Sequence, residues 1–557
     1  MTTEVTRVDS DRDQLHSMGY AQELNRKLGW FSNFAISFSI ISILAGGMTS
    51  YWLGMATGGP RVITLGWIIV GFFALLVGMA MGEICSAYPT AGGLYYWSAK
   101  LARRNGARWS WYTGWFNLLG QIGVIASVDY ALAIFIAYFV PMFDDGFKLT
   151  VLSIYGIFLL VLIAHGLLYT FGVGLVKILG DISVWWHVVG VVIIFFVLLI
   201  SPSNTRGLSG AFDKAPPGLT GWNGGLFVTV YLFALGLLLA QYTITGFDAS
   251  AHVSEETVGA RTEAPKAIVR AIYVSAIAAF FLNLAMTAAL PKKGAVDADG
   301  NDVYARIVFG NANDPFLVNA ANRLISLSVS SAVAKFLVFI CVVAQFFCGM
   351  ASVTANSRMI YAFSRDGALP GSKYWHRINR KTRTPTNSIW LGVVLSALTG
   401  ATSLYVAGHG AGRYSTAFFA MTGICVIGLY IAYAIPIYLR LTNPDFEPGP
   451  WNLKGHHKIV GWTSLVWIGF VTILFFAPLF WPFWPIWGDK NLIADDGAGN
   501  VFFKQNNFNF TGPLILLAFV GMWLYWILSA RKWFTGPRVQ GTKEELLAIE
   551  RELESLN

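Results

Sequence analysis

Charged side chains are scarce in this sequence, and their scarcity argues against a soluble protein. Only 12% of the 557 residues are charged, whereas 55% are apolar and 15% are aromatic. Soluble domains carry about 25% charged residues and have far less apolar surface to bury. The composition therefore predicts an all-α protein that crosses a membrane many times.

Cysteine is also rare, and its placement argues against several kinds of site. The four cysteines, at positions 85, 341, 348 and 425, lie within or at the end of apolar runs, so no disulfide or metal framework is expected. No cofactor is expected either. No nucleophile, metal cluster or carboxylate pair recurs at catalytic spacing within these runs, which disfavours an intramembrane enzyme. The polar first 27 residues lack the apolar stretch of a cleavable signal peptide.

Apolar runs long enough to cross a bilayer recur along the chain. They are 28–60, 62–82, 109–128, 149–164, 182–200, 222–247, 271–290, 336–357, 384–408, 414–439, 459–488 and 505–530. The fourth and fifth runs count if His165 and His187 are tolerated in spans. We predict twelve transmembrane helices.

The distribution of basic residues predicts the orientation of these spans. An even number of crossings leaves both termini on one side of the membrane, and Lys and Arg accumulate on the cytoplasmic side. The even-numbered loops and the two tails hold more than two-thirds of the 39 Lys and Arg residues, so both termini are predicted to be cytoplasmic. Topology thus explains the net charge of +9, and no nucleic-acid partner is expected.

The spans divide the chain into two similar units and an appendage. The predicted segments are a cytoplasmic segment 1–27, five spans in 28–202, an external loop 203–221, five spans in 222–440 with an external loop 291–326, a cytoplasmic loop 441–458, two spans in 459–532 and a cytoplasmic tail 533–557. In the tail, Thr542 and Glu545 form a capping-box pattern before a charged helix, which we expect to be solvated.

Two segments place glycine and small hydroxyl residues inside apolar spans. They are Ile43–Gly47 in the first span and Tyr242–Gly246 in the sixth. Such interruptions at corresponding positions of two halves indicate the binding site of a transporter, because an unwound helix leaves backbone amides and carbonyls free for a ligand. Taken singly, each segment is explained as well by a close contact between helices.

One histidine lies deep within a span. If the fifth span begins near Val176, His187 lies roughly 15 Å along it, close to the membrane midplane. A titratable group at that depth is a functional candidate, and histidine changes its charge near neutral pH. The alternative is a neutral histidine that donates to a backbone carbonyl. We interpret His165, in the fourth span, in that structural way.

Four motifs in order resemble the amino acid-polyamine-organocation transporters. They are Trp30–Ser39, Glu83–Trp97, Thr245–His252 followed by Ser254–Thr257, and Ser364–Pro370. Within that superfamily the chain is most similar to the amino acid/choline branch, which includes the GABA permeases. The resemblance extends from Gly19 through the last span.

The resemblance implies a LeuT-type fold of two inverted five-helix repeats, with the substrate between broken helices 1 and 6. In relatives, amides of helix 1 hold the substrate carboxylate, and carbonyls of both helices hold its ammonium. The matching substrate-binding positions are Ile43, Ala45, Gly46, Gly47, Tyr242, Thr243, Thr245, Gly246 and Phe247, with Gln121 adding polarity from the third span. A zwitterion held in this way needs no charged side chain, because the ends of half-helices carry partial charges.

The resemblance also bears on the coupling ion. Proton-coupled relatives carry a helix 5 lysine where sodium-coupled ones bind sodium, and His187 occupies that place here. We therefore expect coupling to protons through His187, with Na⁺ as the open alternative.

Together these observations predict a secondary active transporter in the plasma membrane that imports small amino acids resembling 4-aminobutyrate. Choline or another organic amine remains an alternative, since Trp185, Trp186, Tyr242 and Phe247 are candidates for an aromatic box around a cation. From a different class, a channel or membrane receptor also remains open. The oligomeric state is left undetermined.

Overall fold

The computed structural model describes residues 2–144, 146–147, 150–171, 173–202, 205–214, 226–297, 300–310, 316–406, 416–476 and 511–555. In these ranges, eleven helices are long and apolar enough to cross a membrane, and Thr229–Thr243 forms a shorter apolar helix. The all-α membrane fold is thereby confirmed, whereas the count of twelve spans stays a prediction.

The first unit begins with a broken helix followed by continuous ones. Its helices are α2 (Trp30–Ile40), α3 (Tyr51–Thr57), α4 (Pro60–Ala87), α5 (Leu94–Leu101), α6 (Gly106–Phe139), α7 (Val151–Phe171) and α8 (Val173–Ile200). Pro60 occupies the first turn of α4, where its missing N–H costs nothing. Helix α4 ends just before Pro89, which cannot continue it.

The second unit repeats this pattern. Its helices are α9 (Leu226–Gly236), α10 (Leu238–Thr243), α11 (Ala249–His252), α12 (Ala260–Ala288), α13 (Val303–Phe309), α14 (Ala320–Ser328), α15 (Ser331–Arg365), α16 (Ser372–Trp375), α17 (Thr386–Val406) and α18 (Thr416–Thr442). Helices α9 to α11 form the broken helix 6, and α2 and α3 form the broken helix 1.

Two further helices, α19 (His457–Phe476) and α20 (Thr511–Leu528), follow the two units. Trp467 of α19 stacks on Phe73 of α4 with ring centroids 4.4 Å apart. This stacking attaches α19 to the first unit. The aromatic residues 481–487 lie outside the described residues.

The two ends of the chain meet on one face of the bundle. Helix α1 (Thr2–Ser17) lies beside α21 (Lys543–Glu554), where Glu550 accepts hydrogen bonds from Arg12 and from the Gln22 amide, the latter at 2.6 Å. Leu28 donates to the Glu256 carbonyl at 2.9 Å on the same side. We call the face formed by residues 11–28, 254–259 and 538–553 the terminal face.

The C-terminal helix is less solvated than the sequence predicts. The capping box is confirmed, since the Thr542 hydroxyl accepts from the Glu545 amide. However, Leu546, Glu550 and Leu553 are buried. Burial alone would raise the pKa of Glu550, but the hydrogen bonds from Gln22, His16 and Arg12 outweigh it and lower that pKa. Helix α21 is therefore docked on the N-terminal segment.

Candidate functional site

Helix 1 is interrupted where the sequence predicts. Helix α2 ends at Ile40, Ser42 is extended, and Ile43–Gly47 forms a wide π turn before the chain continues into α3. The Ser42 hydroxyl accepts from the Ala45 amide at 3.0 Å. The Ser42 amide faces the Cys348 thiol, and within the described chain the amides of Ile43 and Leu44 show no acceptor. Of the predicted positions, Ile43 thus has a free amide, whereas the amides of Ala45 and Gly46 donate to the Ser42 carbonyl at 3.1 and 2.8 Å.

Helix 6 is interrupted two residues later than predicted, over 244–248 between α10 and α11, so that Tyr242 and Thr243 remain helical. Gly246 at the centre has φ +97°, a conformation that residues with a side chain rarely adopt. Within the described chain, the carbonyls of Thr243, Ile244 and Thr245 accept no hydrogen bond. This break therefore presents acceptors, whereas the first break presents donors.

The two breaks pack directly against each other. A Cβ atom at Gly46 would lie 2.8 Å from the Thr243 hydroxyl oxygen and 2.9 Å from the Thr243 Cα, and a Cβ at Gly246 would collide with Ile40. Ser37, one turn before the first break, donates to the Phe247 carbonyl at 2.9 Å. Both interruptions thus lie at one depth in the bundle.

The remaining predicted site residues are buried around these breaks. The Tyr242 hydroxyl donates to Ser127 Oγ at 3.0 Å, and the Phe247 ring lies 5.0 Å from that of Tyr433. The Gln121 amide donates to Asp248 Oδ2 at 3.1 Å. Gln121 is therefore engaged by the last residue of the second break, and a direct role in substrate binding stays a prediction.

His187 contacts the first break through Ser42. Its Nδ1 lies 2.7 Å from the Ser183 carbonyl, which only accepts, so Nδ1 carries a proton. Its Nε2 lies 2.6 Å from Ser42 Oγ. A neutral His187 therefore accepts from the same hydroxyl that receives the Ala45 amide.

Two buried ion pairs connect helix 6 to α15 near the terminal face. Glu256 accepts from Arg358 at 2.8 and 3.1 Å, and Glu255 accepts from Arg365 at 3.1 and 3.3 Å. Arg365 also lies over the Tyr20 ring, 3.8 Å from its centroid. Sequence analysis did not pair these residues, because about 100 positions separate the partners.

The next residue extends this contact to the N-terminal segment. Asp366 accepts from the hydroxyls of Tyr20 and Tyr95 and from the Arg538 amide. Burial raises the pKa of Asp366 against the opposing influence of Arg365. Residues from both chain termini thus meet at the end of α15.

A cavity of about 320 Å³ extends from the terminal face toward the first break. Lys27 and Arg383 line it at the terminal face, and Ser39 and Met350 line it inside. Ser39 is three residues from Ser42. The cavity therefore ends beside the first break, between α2, α8 and α15.

Two other expectations meet the structure differently. The four rings considered for a cation box are not brought together: Trp185 is 63% exposed on the outer surface, and Trp186 donates to the Ile340 carbonyl at 3.0 Å. His165, interpreted as structural, does donate to a carbonyl, that of Phe346 at 3.1 Å. Its other nitrogen lies 3.2 Å from Asp129, a pairing that the sequence did not reveal.

Several known proteins are similar to this chain along most of their length. A sequence profile described as amino acid permease matches residues 28–525. The amino-acid permease BAT1 of Arabidopsis thaliana is 38% identical over 550 residues, which cover 95% of this chain and 96% of that protein. The GABA-specific permease of Saccharomyces cerevisiae is 31% identical over 483 residues, which cover 84% of this chain and 79% of that protein.

A solved structure is similar in fold. It is that of a glutamate-to-alanine mutant of the manganese transporter from Eremococcus coleocola, with a TM-score of 0.50, 15% identity, and coverage of 90% of this chain and 94% of that one. At that identity the likeness concerns the fold alone. With the two broken helices, it confirms the LeuT-type architecture.

Proposed function

The chain belongs to the amino acid permease family, and from that premise we propose that it imports small amino acids resembling 4-aminobutyrate by proton-coupled alternating access. The observation that carries this proposal is the direct packing of the two breaks. A substrate there meets free amides from helix 1 and free carbonyls from helix 6. The 31% identity to a GABA-specific permease supports the choice of 4-aminobutyrate.

The chemistry of the breaks suits a zwitterion. Free amides at the start of the turn Ile43–Gly47 favour a carboxylate, because the amino end of a helix carries partial positive charge. Free carbonyls after α10 favour an ammonium group. A short chain between the two groups lets one molecule reach both sets.

The cavity at the terminal face supplies an exit route. We assign this face to the cytoplasm, since the basic residues concentrate there, and we assign the protein to the plasma membrane. Release then requires movement of α2 or α11 away from α15, which the Glu255–Arg365 and Glu256–Arg358 pairs oppose in the closed arrangement.

His187 is the proposed coupling residue. When neutral, its Nε2 accepts the Ser42 hydroxyl proton, and that hydroxyl in turn receives the Ala45 amide. When protonated, Nε2 donates instead, and the Ser42 hydroxyl proton must find another acceptor. Protonation of His187 therefore reorganises the turn that holds the substrate carboxylate.

Uptake into proteoliposomes tests both substrate and coupling. We expect labelled 4-aminobutyrate to enter saturably, with stimulation by an inward proton gradient and not by a sodium gradient. A His187→Ala variant should lose the gradient stimulation but retain exchange of internal for external substrate. His457→Ala, at the exposed start of α19, is the matched control and should behave as wild type.

Each alternative has its own outcome in this assay. Gradient stimulation that persists in His187→Ala rules out coupling through His187. Uptake displaced by choline and not by 4-aminobutyrate favours an organic-amine carrier. Flux without saturation or trans-stimulation indicates a channel, and binding without flux indicates a receptor.

A further inference from the structure

An acid and a histidine lie one helical turn apart at the end of the second break. Asp248 Oδ2 and His252 Nε2 are 3.2 Å apart, and both side chains are fully buried. Asp248 is the N-cap residue of α11, and His252 is the last residue of that helix. This Asp248–His252 pair is distinct from His187, which contacts the first break.

Counting donors and acceptors fixes the protonation of the pair. His252 Nδ1 lies 3.0 Å from the Ala91 carbonyl, which only accepts, so Nδ1 carries a proton. The Asp248 carboxylate accepts hydrogen bonds from Tyr433 at 2.7 Å, from Gln121 at 3.1 Å and from Asn117 at 3.2 Å. A carboxylate with three donors is ionised, so a proton must also lie on Nε2. The pair is therefore an imidazolium facing a carboxylate.

The donors come from helices outside helix 6. Gln121 and Asn117 belong to α6, and Tyr433 belongs to α18. The pair thus joins the half of helix 6 nearer the terminal face to two neighbouring spans.

The Pro89–Gly93 turn completes this arrangement. Gly93 has φ +49°, and a Cβ there would lie 3.2 Å from His252 Cε1, so a glycine lets the turn approach the imidazole. The Ala91 amide donates to Glu255 at 2.9 Å, and the Ala91 carbonyl accepts from His252. The Pro89–Gly93 turn, which belongs to the Glu83–Trp97 motif of the family resemblance, therefore positions His252.

We propose that the Asp248–His252 pair is a second proton-binding site, and that its proton locks the inner half of helix 6 to α6 and α18. Loss of the proton from Nε2 to water leaves a lone pair facing a carboxylate and one uncompensated negative charge. Buried charge without a partner is strongly unfavourable. Deprotonation therefore releases α11, so that the terminal face opens. This inference rests on the proposed transport function.

Other groups near the pair are few in the described chain. The titratable or charged ones are Tyr433, Tyr430 and Cys425 on α18, and Glu255 with its partner Arg365 beyond the Pro89–Gly93 turn. Arg365 is engaged by Glu255. Arg365 is therefore not available to neutralise Asp248, and His252 is the cation that pairs with this carboxylate.

The proton on His252 can be detected in an experiment that does not depend on transport. In purified protein with ¹⁵N-labelled histidine, NMR at pH 7 should show a buried imidazolium that disappears in His252→Gln. The proposal is overturned if the wild type shows no imidazolium signal that is lost in His252→Gln and kept in His165→Gln, which alters the other buried acid–histidine pair. This measurement stands whether or not 4-aminobutyrate is the substrate.

The proposed locking of helix 6 is tested by the pH dependence of substrate exchange. With equal pH on both sides of proteoliposomes, exchange of labelled 4-aminobutyrate should accelerate as pH rises in the wild type. His252→Gln keeps a neutral donor and should lose that rise. Tyr433→Phe removes a donor from the carboxylate, which then holds the proton more tightly, so the rise should shift to higher pH.

A matched control separates the lock from general effects of burial. His165→Gln alters another buried acid–histidine pair, whose hydrogen bonds run to α6 and α15, and should keep the wild-type rise. A wild-type pH profile in both His252→Gln and Tyr433→Phe overturns the lock. Failure of the wild type to exchange any amino acid refutes the transport proposal instead, and the NMR result then decides the proton site alone.

Discussion

A Gly46→Val variant is expected to reach the membrane and to lose nearly all uptake of labelled 4-aminobutyrate. Its first added carbon would lie 2.9 Å from the Thr243 Cα, a backbone atom that cannot rotate away. Overpacking of this kind costs about 1–3 kcal/mol, which corresponds to roughly a five- to 150-fold change in equilibrium. The two breaks must separate, and the amides and carbonyls then no longer face one substrate.

Gly469→Ala is the matched control for this variant. It also lies within a membrane-spanning helix, and a Cβ there meets nothing within 4 Å. Its uptake should equal that of the wild type. Equal uptake by Gly46→Val and Gly469→Ala would show that close packing of the two breaks is unnecessary for transport.

The second large effect is expected from Arg365→Met. Glu255 is fully buried and pairs with Arg365, whose side chain is only 4% exposed. Removing one partner of a buried ion pair costs about 3–5 kcal/mol, because the remaining charge has no compensation. The temperature of thermal unfolding in detergent should therefore fall by several degrees.

Two further variants separate the charge effect from the loss of a long side chain. Combining Glu255→Gln with Arg365→Met removes both charges and should recover part of the lost stability. Arg380→Met breaks an exposed pair with Glu552, in which both side chains are about two-thirds exposed. Such pairs contribute about 0–1 kcal/mol, so unfolding should change little. Equal shifts for Arg365→Met and Arg380→Met would contradict the role assigned to the buried pair.

The breaks could be predicted because they depend on local chemistry. Gly46 and Gly246 interrupt apolar runs, and glycine within a span permits an unwound backbone. The depth of His187 in the membrane stays a prediction; its position in the middle of α8 followed from the sequence alone. Its link to Ser42 did not, since it depends on how α8 rotates against the first break.

Contacts between distant segments could not be read from the sequence. Asp129 and His165 are 36 residues apart, and Glu255 and Arg365 are 110 apart, so no periodicity connects them. Asp248 and His252 have helical spacing. The protonation of His252, however, depends on the Ala91 carbonyl, which accepts from His252 Nδ1 and belongs to a separate turn.

The burial of one face of the C-terminal helix could not be predicted for a similar reason. Its charged composition is typical of a solvated helix. Glu550, however, finds Arg12, His16 and the Gln22 amide in the N-terminal segment. Complementary charges more than 500 positions away bury a residue that its own segment would leave in water.

We propose that bare peptide groups of two broken helices hold the substrate. A structure determined with bound 4-aminobutyrate tests it most directly. We expect the carboxylate within hydrogen-bonding distance of amides between Ser42 and Gly47, and the ammonium within reach of the carbonyls of Thr243 to Thr245. A substrate bound only in the cavity beside Lys27 and Arg383, or held by side chains away from both breaks, would contradict it.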